Sequence, residues 1–165
     1  MGSQLRKETE YWEDLLEANQ KQMHGERKKI ESWVKSIHIL SEVALKQPQA
    51  AYVAVSKSLQ NEWSYMQRVF PDCEELFSPL RQSLMHEFFP ALTGNTINDQ
   101  EYNILEKPIR MAGLGIRDPV FSAQYSFETS KRATKMLTES MIAGTPVNID
   151  SYERNLKAVT KEIKL

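Results

Sequence analysis

The apolar positions in the first third of the chain repeat with the period of an α-helix. Five of them follow one another at intervals of seven residues: Leu16, Met23, Ile30, Ile37 and Ala44. This spacing places their side chains along one face of a helix, the arrangement of an amphipathic helix that packs against other helices. We therefore predict a long N-terminal amphipathic helix. It ends at Gln47-Pro48, because a residue before proline disfavours the helical conformation.

This heptad face allows two interpretations. It packs against the rest of its own domain, or it forms a coiled coil with a second copy or a partner through residues 5–44. Gly25 lies beside weak heptad positions, and glycine costs about 1 kcal/mol inside a helix, which predicts a break or kink near 24–27. Residues 1–27 are accordingly expected to form a projecting helical arm, and residues 28–165 a single helical domain.

The remaining apolar positions also recur every three or four residues. A second helix is predicted from Pro48 to Val69, where Pro71 stops it, and a third segment is expected to end at Pro90. The predicted helix starts are the capping pairs Asp72 with Glu75, Asn98 with Glu101 and Asp150 with Glu153, together with Ser78-Pro79 and Asp118-Pro119. Gly144 is the predicted C-terminal cap of the long helix that begins at Asp118-Pro119.

Alternating apolar and polar positions, which would indicate a strand, do not extend beyond four residues anywhere. The predicted class is therefore all-α: a single helical domain of about five to seven helices. The chain shows no internal repeat and no shift in composition that would mark a second domain.

Composition and charge narrow the class of protein. The chain has 165 residues, 26% of them charged, and a net charge of −1, so bulk charge gives no support to a dedicated nucleic-acid binder. The single cysteine, Cys73, cannot form an internal disulfide, which favours an intracellular compartment, cytoplasmic or nuclear. No apolar run approaches the length of about 20 residues that crosses a bilayer, so we predict no membrane span.

The residue types that carry catalysis or bind metals are not arranged in a recognisable pattern. His24, His38 and His86 are far apart, and none has a second histidine or cysteine at helical spacing. The chain has no nucleophile elbow and no Walker-type phosphate loop. We therefore expect no metal, no cofactor and no enzymatic activity.

The stretch PIRMAGLGIRDP at 108–119 contains the only glycine pair of the form Gly-x-Gly. Gly113 and Gly115 resemble half of a dinucleotide-binding motif, but the third glycine position is Asp118 and no predicted strand precedes the stretch. We interpret Gly113 and Gly115 as a structural turn that directs Leu114 and Ile116 inward. A phosphate-binding loop is the alternative.

Five basic residues are the candidate contacts to a nucleic-acid backbone. Arg110 and Arg117 flank the glycine turn, and Lys131, Arg132 and Lys135 form a modest basic patch on the following helix.

Several blocks of sequence occur in one order at close spacing. They read PQAAYVAVSKSLQNEWSYMQRVFPD, LRQSLMHEFFPALTGN, PIRMAGLGIRDP and SAQYSFETSKRATKML. Together they resemble the segment downstream of the polymerase core in reverse transcriptases of animal retroelements, over about residues 30–142. The strongest pieces are 48–52, 63–68, 90–94 and 110–116, and Ala112 stands where that family often has glycine.

The resemblance implies a thumb-like or connecting helical region that packs beside the template–primer duplex. Its partners would be an RNA or DNA duplex or the rest of a reverse transcriptase. Polymerisation requires paired aspartates that hold two divalent cations, and this chain has no Asp-Asp pair. The expected function is thus a non-catalytic domain that contacts nucleic acid. The alternative is a helical protein–protein interaction module that uses the heptad face.

Overall fold

The computed structural model describes residues 24–163, in which six helices are present and no strand is found. The all-α prediction is confirmed. Helix α1 covers 24–44. Helix α2 is continuous over Pro48–Val53, Ala54–Leu59 and Gln60–Val69, and α3 is continuous over Ser78–Ser83, Leu84–Phe88 and Phe89–Thr93. The remaining helices are α4 at Asp99–Leu105, α5 at Pro119–Ala143 and α6 at Ile149–Ile163. A turn of 3-10 helix at Glu74–Phe77 precedes α3, and another at Ile109–Met111 follows α4.

Helix α1 packs its heptad face into the core of its own domain. Ile30, Ile37 and Ala44 are all buried, and the ring of Trp33 lies 6.2 Å from that of Phe77. This part of the face has no surface left for a second molecule, so for 24–44 the heptad face packs within its own domain and the coiled-coil alternative does not hold. Positions 5–23 of that prediction lie outside the described residues.

The predicted break at Gly25 is also wrong on the side that the structure describes. Residues 24–27 are helical and continue directly into the rest of α1. The glycine stays in the helix because the neighbouring turns, which bury Ile30 and Trp33, hold it there. Most of the predicted arm, 1–23, lies outside the described residues.

Helix α3 continues past Pro90, where the sequence predicted its end. A proline inside an α-helix lacks an N–H and clashes with the carbonyl four residues earlier. The preceding segment, Leu84–Phe88, is a π-helical turn, in which the N–H of Phe89 bonds to the carbonyl of Leu84, five residues back. This wider turn accommodates Pro90, and α3 ends instead at Gly94, whose φ is 78°.

Helix caps follow the sequence in some places and depart from it in others. Asn98 and Glu101 form the predicted capping box, and Gly144 adopts the left-handed conformation at the end of α5. Asp72 caps no helix, since its φ is 49° and Cys73 takes the N-cap position without a side-chain bond. Helix α6 begins before Asp150, because Asn148 Oδ1 accepts the N–H of Ser151.

The core lies around α2 and α3. Its largest fully buried side chains come from these helices and from the elements that lie on them: Trp63, Phe77, Leu80, Leu84, Phe88, Phe89, Tyr102 and Ile116. Helix α5 contributes to it only near its start, through Pro119, Ser122 and Ala123. Helix α5 packs against α2, the turn at Glu74–Phe77 and the start of α3, and it also packs against α6.

The packing of α1 yields a matched pair of variants. Ile37 is fully buried, whereas Ile39, two residues later, is 59% exposed. We expect Ile37→Ala to lower the free energy of unfolding by about 2–5 kcal/mol, because it removes apolar contacts and leaves a cavity. Ile39→Ala should change it by less than about 0.5 kcal/mol. Urea unfolding of both variants measures this, and equal losses would contradict the assignment of the α1 core face.

Cys73 yields a prediction about alkaline pH. Burial, followed by the nearby Glu26 carboxylate, raises the pKa of its thiol from 9.0 to about 11. The unfolded chain therefore loses this proton first, so the stabilisation is complete below about pH 9 and is lost as pH rises toward 11. We expect the free energy of unfolding to fall more steeply between pH 8 and pH 10.5 in the wild-type chain than in Cys73→Ala. Parallel pH curves for the two proteins would contradict this.

Candidate nucleic-acid interface

The turn at 108–119 adopts a backbone conformation that depends on its glycines. Gly115 has a φ of +70°, in the left-handed region where residues with a side chain are strained. A Cβ at Gly113 would lie only 1.9 Å from the carbonyl oxygen of Lys107. Ala112 also has a positive φ, 63°, a conformation that costs a residue with a side chain more than it costs glycine. The two glycines therefore serve different needs: Gly115 allows the turn, and Gly113 allows two backbone segments to touch.

Side chains of α2 bond to the backbone of the second half of this turn, from Leu114 onward. The hydroxyl of Tyr52 donates to the carbonyl of Leu114 at 2.7 Å. Gln60 bridges two positions, because its Nε2 donates to the carbonyl of Gly115 at 3.2 Å and its Oε1 accepts the N–H of Arg117 at 2.9 Å. The α2 surface thus fixes both the entry and the exit of the residues that precede α5.

Gln67 continues this set of contacts one step further. It is fully buried, its Nε2 donates to the carbonyl of Pro119 at 2.7 Å, and its Oε1 accepts from the hydroxyl of Ser122 at 3.0 Å. Sequence analysis did not single out Gln60 or Gln67. Their spacing of seven residues, which puts two amides on one side of an apolar helix, is the signal that could have found them.

The backbone N–H groups of the turn are already bonded within the chain. The groups of Met111 and Gly113 donate to the carbonyl of Pro108, and that of Ala112 donates to the carbonyl of Ile109. Those of Leu114 and Gly115 donate to the carbonyls of Leu105 and Lys107. A phosphate-binding loop works by offering such groups to its ligand. Among the described residues 111–115 none is left for that purpose, so the geometry favours the structural turn.

Asp118 and Arg81 join the start of α5 to α3. Asp118 Oδ1 accepts the N–H groups of Val120 and Phe121, which makes it the helix cap, and its Oδ2 lies 2.7 Å from Arg81 Nε. The Nε–H is not aligned with a hydrogen-bond acceptor, so this contact is an ion pair. The Arg81 guanidinium also lies 5.4 Å from the centre of the Tyr102 ring, and burial raises the pKa of that phenol. This cluster lies at the base of the interface and was not foreseen from the sequence.

The structure separates the five predicted basic residues into two groups. Arg110 and Arg117 are exposed on the turn, and neither has a salt-bridge partner within the described part of the chain. Lys131 and Lys135 on α5 pair with Glu128 and Glu139 at 3.6 Å and 3.8 Å. Arg132 is exposed beside them.

The two groups lie well apart along the helix. Lys131 is twelve residues beyond the start of α5 at Pro119. At 1.5 Å per residue, this is about 18 Å along the axis. The five side chains therefore do not form one compact patch.

Two aromatic side chains border the arginine turn. Phe121 is 59% exposed and meets Tyr125 edge to face, with 5.3 Å between the ring centres. Burial raises the pKa of Tyr125, and the positive charge of Arg117 opposes that effect. Sequence analysis gave these residues no function because their helical spacing is that of core positions. By contrast, Trp33 and Trp63 are buried in the core, where they cannot stack on a ligand.

No group of three or more His, Cys, Asp or Glu side chains in the described residues could hold a metal ion. No helix between 24 and 163 combines the length and apolar character needed to cross a bilayer. The chain matches no protein-family model, and the comparisons with curated proteins and with solved structures gave no match.

The glycines of the chain allow the turn geometry to be tested. We expect Gly113→Ala to destabilise the fold by about 1–3 kcal/mol, because the added methyl group must displace the backbone at Lys107. Gly25→Ala is the matched control, since a Cβ there meets nothing within 4 Å. It should stabilise α1 by up to about 1 kcal/mol. Thermal unfolding would show shifts of opposite sign, and an unchanged midpoint for Gly113→Ala would contradict the close approach.

Proposed function

We propose that this chain is a non-catalytic helical domain that contacts the phosphate backbone of a template–primer duplex. The observation that carries the proposal is the pair Arg110 and Arg117. Both are exposed and neither has a salt-bridge partner in the described residues. Gln60 of α2 and Arg81 of α3 hold the backbone and the cap at Arg117 and Asp118, and Arg110 lies in a 3-10 turn. The resemblance to the region downstream of a reverse transcriptase core supports the same function.

The fixed turn matters because it reduces the cost of binding. A side chain on a mobile loop must lose backbone freedom when it engages a ligand, and that loss subtracts from the affinity. Here the backbone at Arg117 is already bonded to Gln60, and the next residue is the cap of α5. Only the rotations of the arginine side chains themselves remain to be ordered. Guanidinium groups also bind phosphate oxygens in pairs, which lysine does not.

The basic residues on α5 are expected to contribute less to duplex binding than the two arginines of the turn. Lys131 and Lys135 make exposed ion pairs with glutamates of the same helix, and such pairs contribute little to stability. A duplex that extends from the turn along α5 could exchange these glutamates for phosphates and also meet Arg132. The glutamates weaken the field of this stretch, so we assign the larger share of binding to Arg110 and Arg117.

The proposal assigns no polymerisation step to this chain. Two-metal nucleotide transfer needs carboxylates that hold both cations, and the sequence has no Asp-Asp pair. Any polymerase activity would reside in a separate catalytic part, beside which this domain would lie. The single cysteine is in keeping with an intracellular site of action.

Salt dependence tests the proposal. We expect a fluorescently labelled RNA–DNA primer–template to bind the chain at 50 mM salt, with an affinity that falls linearly with salt on a double-logarithmic plot. Arg110→Ala combined with Arg117→Ala removes two phosphate contacts. It should reduce the slope of that plot by about 2 and weaken binding alike for all duplex sequences. Fluorescence anisotropy measures both quantities.

Arg27→Ala serves as the matched control, since Arg27 is an exposed arginine on α1 outside the turn. It should leave the slope unchanged. The proposal fails if the wild-type chain does not bind the duplex at 50 mM salt. It also fails if the turn variant, which removes two charges, loses no more than twice the binding free energy that Arg27→Ala loses, because binding would then follow net charge alone.

A further inference from the structure

A cleft of about 340 Å³ opens next to the arginine turn, between α3, α4 and the start of α5. At its base, Arg81 and Asp118 form an ion pair, so each of these charged groups already has a partner. Its walls are Asn103 and Glu106 from α4 and Phe121 and Gln124 from α5. The cleft therefore combines an aromatic ring, two amides and a carboxylate within one concave surface.

The aromatic wall is available to a flat ligand. Phe121 is 59% exposed although it lies in the first turn of α5, where neighbouring side chains enter the core. Stacking of a nucleobase on such a ring contributes about 1–3 kcal/mol and does not depend on the identity of the base. A stacked base would cover the apolar surface that Phe121 now exposes.

The polar groups of the walls have unused hydrogen-bonding capacity. The side-chain amides of Asn103 and Gln124 make no hydrogen bond within the described part of the chain, and both residues are exposed. Glu106 is half-buried at the wall of the cleft. A carboxylate has room for several donors, so Glu106 can accept hydrogen bonds from a ligand in the cleft.

We propose that this cleft binds an unpaired guanine base of a strand whose phosphates lie on Arg110 and Arg117, an inference that rests on the proposed function. Guanine alone among the common bases presents two adjacent donors, N1–H and the N2 amine, on its Watson–Crick edge. The two oxygens of Glu106 can accept both. Adenine and cytosine place an acceptor nitrogen beside their amine, and that lone pair would face the carboxylate. The amides of Asn103 and Gln124 are suited to the O6 and N7 acceptors.

Base preference tests the inference directly. The probes are labelled ten-nucleotide thymidine strands that carry at the centre one guanine, one adenine or one hypoxanthine, which lacks the N2 amine. We expect the full chain to bind the guanine strand about tenfold more tightly than the adenine strand, with the hypoxanthine strand between them. Fluorescence anisotropy at 50 mM salt measures the three affinities.

Two variants locate the preference in the cleft. Phe121→Ala should weaken binding of all three strands, and Glu106→Gln should remove the preference for guanine while retaining stacking. Tyr65→Ala is the matched control, because Tyr65 is an exposed aromatic residue on α2 that does not line the cleft. It should change nothing. Phe121 and Glu106 lie outside the fully buried core, so circular dichroism should show all variants folded.

The outcomes separate this inference from the function on which it rests. Equal affinity for the three strands, with normal salt-dependent binding of the duplex, would overturn the guanine site and leave the phosphate contacts intact. If no strand or duplex binds, a titration with guanosine 5′-monophosphate monitored by NMR tests whether the base site exists without the phosphate contacts. Shifts confined to the cleft residues would support the base site and reject the duplex function, whereas no shifts would overturn both.

Discussion

The structure depends on the hydrogen bonds by which α2 holds the turn at 114–119. Tyr52, Gln60 and Gln67 use one hydroxyl and two amides to satisfy carbonyl and N–H groups that an irregular segment would otherwise leave unpaired. A buried backbone group without a partner costs several times the net gain of an ordinary hydrogen bond, so such contacts fix the path of the chain. They set where α5 begins and which residues of the turn reach solvent.

The order of the elements places the candidate interface at this junction. Core side chains of α2 and α3 form the base, and α5 packs on that base and also against α6. The arginines of the turn and the cleft beside Phe121 both lie close to the start of α5. Polar side chains are concentrated there because backbone groups at the start of α5 need partners, and the same concentration provides groups that can bind a ligand.

Departures from the sequence-based expectations have local causes. Proline was expected to end α3 at Pro90, but a π-helical turn accommodated it, because the wider turn removes the need for its missing N–H. The heptad face of α1 was open to two interpretations, and burial of Ile37 in the chain's own core excludes the intermolecular one for 24–44. Asp72 and Asp150 carried the correct residue type for caps, yet Cys73 and Asn148 hold those positions. Capping depends on where a helix starts, and neighbouring packing moves that point by one or two residues.

By itself, the sequence determined the helical class, most helix boundaries and the need for glycine in the turn. These features follow from local rules: the 3.6-residue period, proline and glycine conformations, and capping pairs such as Asn98 with Glu101. Only the tertiary structure decided that Gln60 and Gln67 bond to the turn, that Arg81 pairs with Asp118, and that Asn103, Glu106 and Phe121 share one cleft. These residues are distant in the chain, and no local pattern encodes which distant backbone groups or side chains they will meet.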